Sequence, residues 1–356
     1  MPYYNDQFLG SLSSVEVSEE ATYGTTEETG WRLPLVNESL GAPINSFVSQ
    51  ILTPDRRVLA VQDGNIRPSG AITGELVPSS SFMMLAKHAL GLRDASALTA
   101  TTGDALYNHT LRTGGKLTPY SRATGASTVK SLTVQKTFVN SENSTNLYLV
   151  YPGARVDTMD ISYGTEGLVS CNFGIVAADE LALSQTATIT SVTDAVEGTG
   201  GDNVAPFTSY PAFVYLGTAG TVPTGLETPI GFVTAFSFNL SNGIFADNFV
   251  TGSRNRANAL PGTRAMSGSL GMLFYRADEY NDVRNAGTSP QSMMVEFTRG
   301  TWDTARIRLN FPYIKFIGSG GGSTPIGLTV PFTCYEPAAS DGSRFSISVR
   351  NYDAYI

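Results

Sequence analysis

Residues 236–241 read Phe-Ser-Phe-Asn-Leu-Ser, so that Phe236, Phe238 and Leu240 alternate with Ser237, Asn239 and Ser241. An extended chain sends successive side chains to opposite faces, and this stretch therefore builds a strand with one apolar and one small polar face. The pattern recurs. Met159, Ile161 and Tyr163 alternate with Thr158, Asp160 and Ser162; Ile307, Leu309 and Phe311 alternate with Arg306, Arg308 and Asn310. Near the end, Phe345, Ile347 and Val349 alternate with Ser346, Ser348 and Arg350. Gly, Pro, Asn and Asp punctuate these runs, and the chain reads as mainly β.

Two segments have helical spacing instead. Ser79–Leu90 follows Pro78, opens on serines suited to capping, carries Phe82, Met83, Leu85, Ala86 and Ala89, and stops at Gly91. Asp278–Asn285 starts on an acid, spaces Tyr280 and Val283 by one turn, and is followed by Gly287. Each expected helix follows a glycine-broken strand, Ser69–Val77 in one half and Ser267–Tyr275 in the other. After each comes a further strand, Ser131–Phe138 or Ser292–Thr298, and then a long segment with an internal proline, Leu147–Tyr163 or Arg306–Ile317. Gly167-Leu-Val and Gly327-Leu-Thr close the two series. Five elements in one order, twice, point to an internal duplication.

Composition narrows the function. Of 356 residues only 15% are charged, against about 25% in a typical soluble protein, while 36 are Gly. Such a surface suits burial against further copies of itself. The net charge of -8 supplies no basic footprint for gripping phosphate. Met1–Gly10 has no Lys or Arg and no apolar stretch of an export signal, and no run approaches a membrane span, so the expectation is a protein made in a cytoplasm. Cys171 and Cys334 are too few for a disulfide framework and read as buried thiols, with a bridge left open.

Catalytic chemistry finds no constellation. His88 sits on the apolar side of the first helix as a structural imidazole, and His109 falls in a polar loop without ligands at metal spacing. The glycines of Gly318–Ser323 lack the Lys and Ser/Thr of a phosphate loop. Asp157 and Asp160 face opposite ways along a strand, Asp278 and Glu279 complement a helix dipole, and Asp194, Glu197 and Asp202 lack calcium-loop spacing. No catalytic residue, cofactor site or metal site is expected. Trp31 and Trp302 are packing anchors before they are a sugar platform.

The order of segments resembles the tail tube proteins of long-tailed bacteriophages. The likeness runs through Gly64–Leu76, the helix Met83–Gly91, Lys130–Val134, Gly268–Gly271, Phe311–Ile314 and Phe345–Asn351. It implies β-sandwich domains, each with one short flanking helix, whose inner strands join between neighbours into a continuous barrel. It also implies a virion tail location, assembly in the bacterial host cytoplasm, and a bore through which DNA passes. The implied partners are further copies of the chain, a tape measure protein, a tail terminator and baseplate or tip proteins. On this resemblance, residues 1–50 are an arm, 51–183 a first tube domain, 184–230 a linker with inserted strands, and 231–356 a second tube domain. Duplication favours three chains per pseudo-sixfold ring over six single-domain chains. Glu75, Asp157, Asp160 and Glu296 are the candidate bore-lining acids, and Arg306 and Arg308 candidates for pairing across subunits. The loop holding Gly318, Gly320, Gly321 and Gly322 is, with the arm, the candidate ring-stacking element. A capsid-decoration or adhesin-like β protein and a carbohydrate-binding sandwich remain as alternatives.

Overall fold

The computed structural model describes residues 13–51, 57–97, 107–114, 130–140, 146–193, 205–210, 212–230, 233–273, 290–299, 305–317, 327–337 and 344–351. The expected helix at 278–285 and the glycine loop at 318–323 lie outside these residues.

In the first half the strands are β1 (Ser14–Glu19), β2 (Thr29–Arg32), β3 (Asn37–Glu38), β4 (Ile44–Val48), β5 (Val61–Ile66) and β6 (Ser69–Glu75). Helix α1 (Ser80–Leu90) follows, then β7 (Gly91–Ala97), β8 (Tyr107–Thr113), β9 (Leu132–Phe138), β10 (Leu147–Tyr163) and β11 (Ser170–Val176). Next come β12 (Ser191–Thr193), β13 (Ala212–Thr218), β14 (Val233–Ser241) and β15 (Ala265–Leu273). The last four are β16 (Gln291–Arg299), β17 (Ala305–Phe316), β18 (Gly327–Cys334) and β19 (Ser346–Asn351). The protein is mainly β, as the alternation requires. All these strands except the separate hairpin β4–β5 are linked through backbone hydrogen bonds.

Two long strands organise the pairing. β10 pairs with β9 through Leu147–Tyr151, is interrupted at Pro152-Gly153, and then pairs with β11 from Arg155 onward. A proline cannot donate to a ladder and so belongs at such an irregularity. Gly153 has φ 65°, and a Cβ there would lie 2.6 Å from the Cβ of Ala178, so the corner accepts only glycine. β17 repeats the device: it pairs with β16 through Ala305–Phe311, is interrupted at Pro312, meets β16 once more at Ile314, and pairs with β18 from Ile314. The neighbours correspond as well. β6–β11–β10–β9 are joined antiparallel in one half, and β15–β18–β17–β16 in the other. The two series read in the sequence thus have the same pairing order.

The apolar positions of these strands meet in one core. Ile161, Leu309 and Phe238 are 0–1% exposed. Phe238, Phe311 and Phe345 pack with ring centroids 4.8–5.0 Å apart. Tyr163 stacks on Phe236 at 5.8 Å and meets the edge of Phe297 at 5.7 Å, tying β10 to β14 and β16. Cys171 and Cys334 are free and buried, and burial pushes the Cys171 thiol up to about 12.

Helix α1 begins as the sequence predicts. The Ser79 hydroxyl accepts from the Phe82 N–H at 3.2 Å, and Gly91 (φ 101°) ends the helix by donating to the Lys87 carbonyl. Its last carbonyls are met from the second half: the Asn242 amide donates to Ala89 and the Arg264 guanidinium to Leu90, each at 3.0 Å. At this end Glu19 receives Lys87, Lys130 (2.8 Å) and Nε2 of His88 (3.2 Å), while His88 Nδ1 lies 3.0 Å from the Lys130 carbonyl. His88 is thus the satisfied structural imidazole expected.

Two expectations are corrected. Residues 14–41, read as part of an arm, hold β1, β2 and β3; Val15 and Val17 are 0–1% exposed, and β1 pairs with β9 along its whole length. The Ser-Val-Glu-Val-Ser alternation carried this signal, but Glu16, Ser18 and Glu20 mask it because their polar face is also buried. His109, read as a loop residue, lies on β8 and is 1% exposed.

Burial alone would raise the Glu19 pKa, but hydrogen bonds from His88, Lys130 and Lys87 outweigh it and hold the carboxyl well below the usual range. A depressed carboxylate pKa stabilises the fold above the unfolded value of about 4.3, and that stabilisation is lost as pH falls from there toward the folded value. Glu19→Gln is therefore expected to lower the urea midpoint at pH 7 and to differ less from the parent at pH 3. Equal offsets at both pH values would contradict this account.

Candidate functional site

Following hydrogen bonds sideways gives a run of eight strands: β3–β6–β11–β10–β14–β15–β18–β17. The first four come from the first half of the chain, where β6, β11 and β10 belong to one series, and the last four from the second, where β15, β18 and β17 belong to the other. They meet where Thr158–Tyr163 of β10 lie antiparallel to Phe236–Ser241 of β14.

Opposite residues in antiparallel strands share a face, so the register assigns every side chain to one side. On the inner side Ile72, Phe173, Ile161, Phe238, Leu270, Phe332 and Phe316 are buried. Across the other side runs a row formed by Asn37, Thr73, Asn172, Asp160, Asn239, Ser267, Thr333 and Lys315. The row beside it holds Glu75, Ser170, Ser162, Ser237, Ser269 and Pro331. This face is built of short hydroxyl and amide side chains with few charges.

Its middle is hydrogen-bonded from strand to strand. Thr73 Oγ1 donates to Asn172 Oδ1 at 2.9 Å, Asn172 Nδ2 to Asp160 Oδ2 at 3.4 Å, and Asn239 Nδ2 to Asp160 Oδ1 at 2.6 Å. Ser162 and Ser170 oxygens are 3.0 Å apart, and those of Ser237 and Ser269 2.8 Å. Asp160 thus takes an amide from each side of the joint between the two series. A carboxylate so engaged is held in place.

Only two of the four candidate acids belong to this face. Asp160 lies at its centre, and Glu75 lies opposite Ser170 in the neighbouring row. Asp157 sits at the irregularity between Val156 and Thr158, where its Oδ1 accepts from the Ile244 N–H at 2.8 Å. Glu296 lies elsewhere: on β16 it is 2% exposed, with Arg308 at 3.0 Å and Arg306 at 3.7 Å. Within the chain, Arg306 and Arg308 thus both lie beside the buried Glu296 carboxylate. Gly318, Gly320, Gly321 and Gly322 lie outside the described residues. Asn172, Asn239, Thr73 and Lys315 were not singled out in the sequence. Their signal was the polar half of each alternation, and only the register collects it into one surface.

A second surface feature is the hairpin β4–β5. Ile44, Phe47, Val48 and Val61 on it are 50–61% exposed, an apolar patch unusual on a free monomer. The segment between β14 and β15 is fastened to it: Arg254 Nε donates to the Gly64 carbonyl at 3.1 Å, the Ile66 N–H to the Arg254 carbonyl at 3.0 Å, and Arg67 meets Asp247 at 2.8 Å. Among the described residues no group of three or more His, Cys, Asp or Glu is placed to hold a metal ion.

Replacing Asp160 by Ala removes the acceptor of two amides on a solvent-facing row while leaving the core untouched. The expected result is a folded protein destabilised by about 1–2 kcal/mol, read from its urea midpoint. Loss of folding would mean that the row carries more of the structure than its exposure implies.

A family model described as phage tail tube protein matches residues 10–334. A search of curated proteins finds no significant match. The match takes in both series of strands and the whole eight-strand run, and on that breadth the chain belongs to the phage tail tube protein family.

Proposed function

We propose that this chain is the building block of a hollow tail tube, in which three copies close a ring and rings stack into a conduit for phage DNA. The observation that carries this reading is the eight-strand run inside a member of a tail tube family. It has a small-polar face on one side and, among the described residues, no strand on the outer sides of Asn37–Glu38 or Lys315–Phe316. Edges of this kind invite pairing with another chain, and closing the sheet through neighbours removes them. Three chains of eight such strands give the pseudo-sixfold ring that the repeated pairing order favours over six chains.

In this arrangement the small-polar face lines the bore. Duplex DNA carries about one negative charge per 1.7 Å, and clustered Lys or Arg would hold it by releasing counterions. Hydroxyls, amides and few charges, with two acids to one lysine in the two rows, give it no such hold. The exposed hairpin β4–β5, with the segment fastened to it, is the surface we assign to ring stacking, a head-to-tail contact that propagates without closing. The loop around Gly320 is a second stacking candidate. Residues 51–183, together with β1, β2 and β3 paired onto them, and residues 231–356 are the two tube domains, joined through 184–230. The chain acts as a structural component of the virion tail and not as an enzyme; tape measure, terminator and baseplate or tip proteins are its further partners, and assembly takes place in the host cytoplasm.

Electron microscopy of the concentrated recombinant protein tests the reading. Hollow fibres with a threefold or pseudo-sixfold cross-section are expected. Phe47→Asp should keep the parent's thermal melt and give short stacks or single rings. Particles of one fixed small size from the parent chain would favour a decoration or adhesin-like protein instead.

A further inference from the structure

The chain contains its own template for the contact between copies. Aligning the two halves of the run strand by strand makes β3 the counterpart of β14, β6 of β15, β11 of β18 and β10 of β17. In the central row Asp160 then corresponds to Lys315, and Asn239 to Asn37. At the joint within the chain, Asn239 stands opposite Asp160 and donates to it at 2.6 Å. At the two ends of the run, Asn37 and Lys315 are both exposed.

Resting on the ring-closing reading above, we infer that Lys315–Phe316, beyond the last contact of β17 with β16 and without a strand on that side among the described residues, pair antiparallel with β3 of a second copy, in the register of the β10–β14 joint. Lys315 then stands opposite Asn37, and Phe316 beside Val36. The chemistry of the facing pair supports this register. An amide both donates and accepts, so the Asn that gives its N–H to Asp160 inside the chain has a counterpart able to offer its oxygen to the Lys315 ammonium between chains.

The surface beside β3 leaves room for an added strand. Beside the β3 edge lies an open groove of about 420 Å³, lined by Val15, Val36, Asn37, Glu38, Lys136 and Phe138. Val36, on its rim, is 66% exposed. A strand laid along β3 from a neighbour would run beside this groove. Its wall is fixed in advance by the 2.6 Å ion pair of Glu38 with Lys136. A consequence follows for the bore. Each chain contributes one Asp160 and one Lys315 to the central row, so that around a closed ring the two alternate and their charges cancel. That level of the bore is neutral, although the chain as a whole carries -8.

The test uses the full-length chain. Asn37→Lys places like charges opposite each other across the joint, and should leave the thermal melt unchanged while raising the concentration needed for fibres by roughly fivefold. Adding Lys315→Asp to that variant should restore assembly. Separately, Asn37→Cys with Lys315→Cys should give disulfide-linked dimers and trimers when fibres are oxidised, since directly opposed residues have Cβ atoms about 4.5–5.5 Å apart. The shifted pair Ser39→Cys with Lys315→Cys should not. Normal fibres from Asn37→Lys, no rescue by the second change, or preferential linking of the shifted pair would each overturn the register while leaving the tube reading standing. A parent chain that forms only particles of fixed size would defeat the tube reading, and this inference with it.

Discussion

The antiparallel joint between β10 and β14 is the constraint on which the rest of this structure depends. It joins the first four strands of the eight-strand run to the last four, and both its faces are occupied. On the buried side Ile161 lies opposite Phe238 and Tyr163 opposite Phe236, inside an aromatic core that reaches Phe311, Phe332 and Phe345. On the other side Asp160 gathers the amides of Asn172 and Asn239. A slip of one residue would bury Asp160 and expose Ile161, so the register is strongly enforced.

What allows one strand to make that joint is the corner within it. β10 spans 17 residues and serves β9 before Pro152-Gly153 and β11 and β14 after it. β17 does much the same around Pro312, with β16 chiefly before it and β18 after. In each half a proline sits where the ladder is already broken and so costs no hydrogen bond. The two halves are also joined away from this joint, where β19 pairs with β8 of the first half. Helix α1 bridges the halves, because its C-terminal carbonyls are satisfied by Asn242 and Arg264 from beyond the joint.

The tail tube family and the architecture bear on each other through strand edges. A lone sheet edge is an aggregation hazard that most proteins cover with charges, prolines or helices. The proposed tube would use such an edge, provided that pairing happens in one register with one partner. The chain's low charged fraction is consistent with such use, as is an outward face of Ser, Thr and Asn that offers little grip to nucleic acid.

The sequence by itself determined the strands, because period-two alternation is a local property. Phe236–Ser241, Thr158–Tyr163 and Phe345–Arg350 needed no partner to declare a buried and an exposed side. It determined helix α1 as well, through Ser79 and Gly91, whose capping geometry depends on only a few neighbouring residues. The repeated order of elements was legible for the same reason. The candidate site was only half legible. Asp160 and Glu75 share the polar face, whereas Glu296 is locked between Arg306 and Arg308, and nothing local distinguishes the polar position of one strand from that of another. Which strands lie side by side depends on contacts between residues such as Asn37 and Thr73, or Asn239 and Asp160, that are distant along the chain. Only the tertiary structure decided those neighbours, because register comes from packing two alternating faces against each other and not from either strand alone.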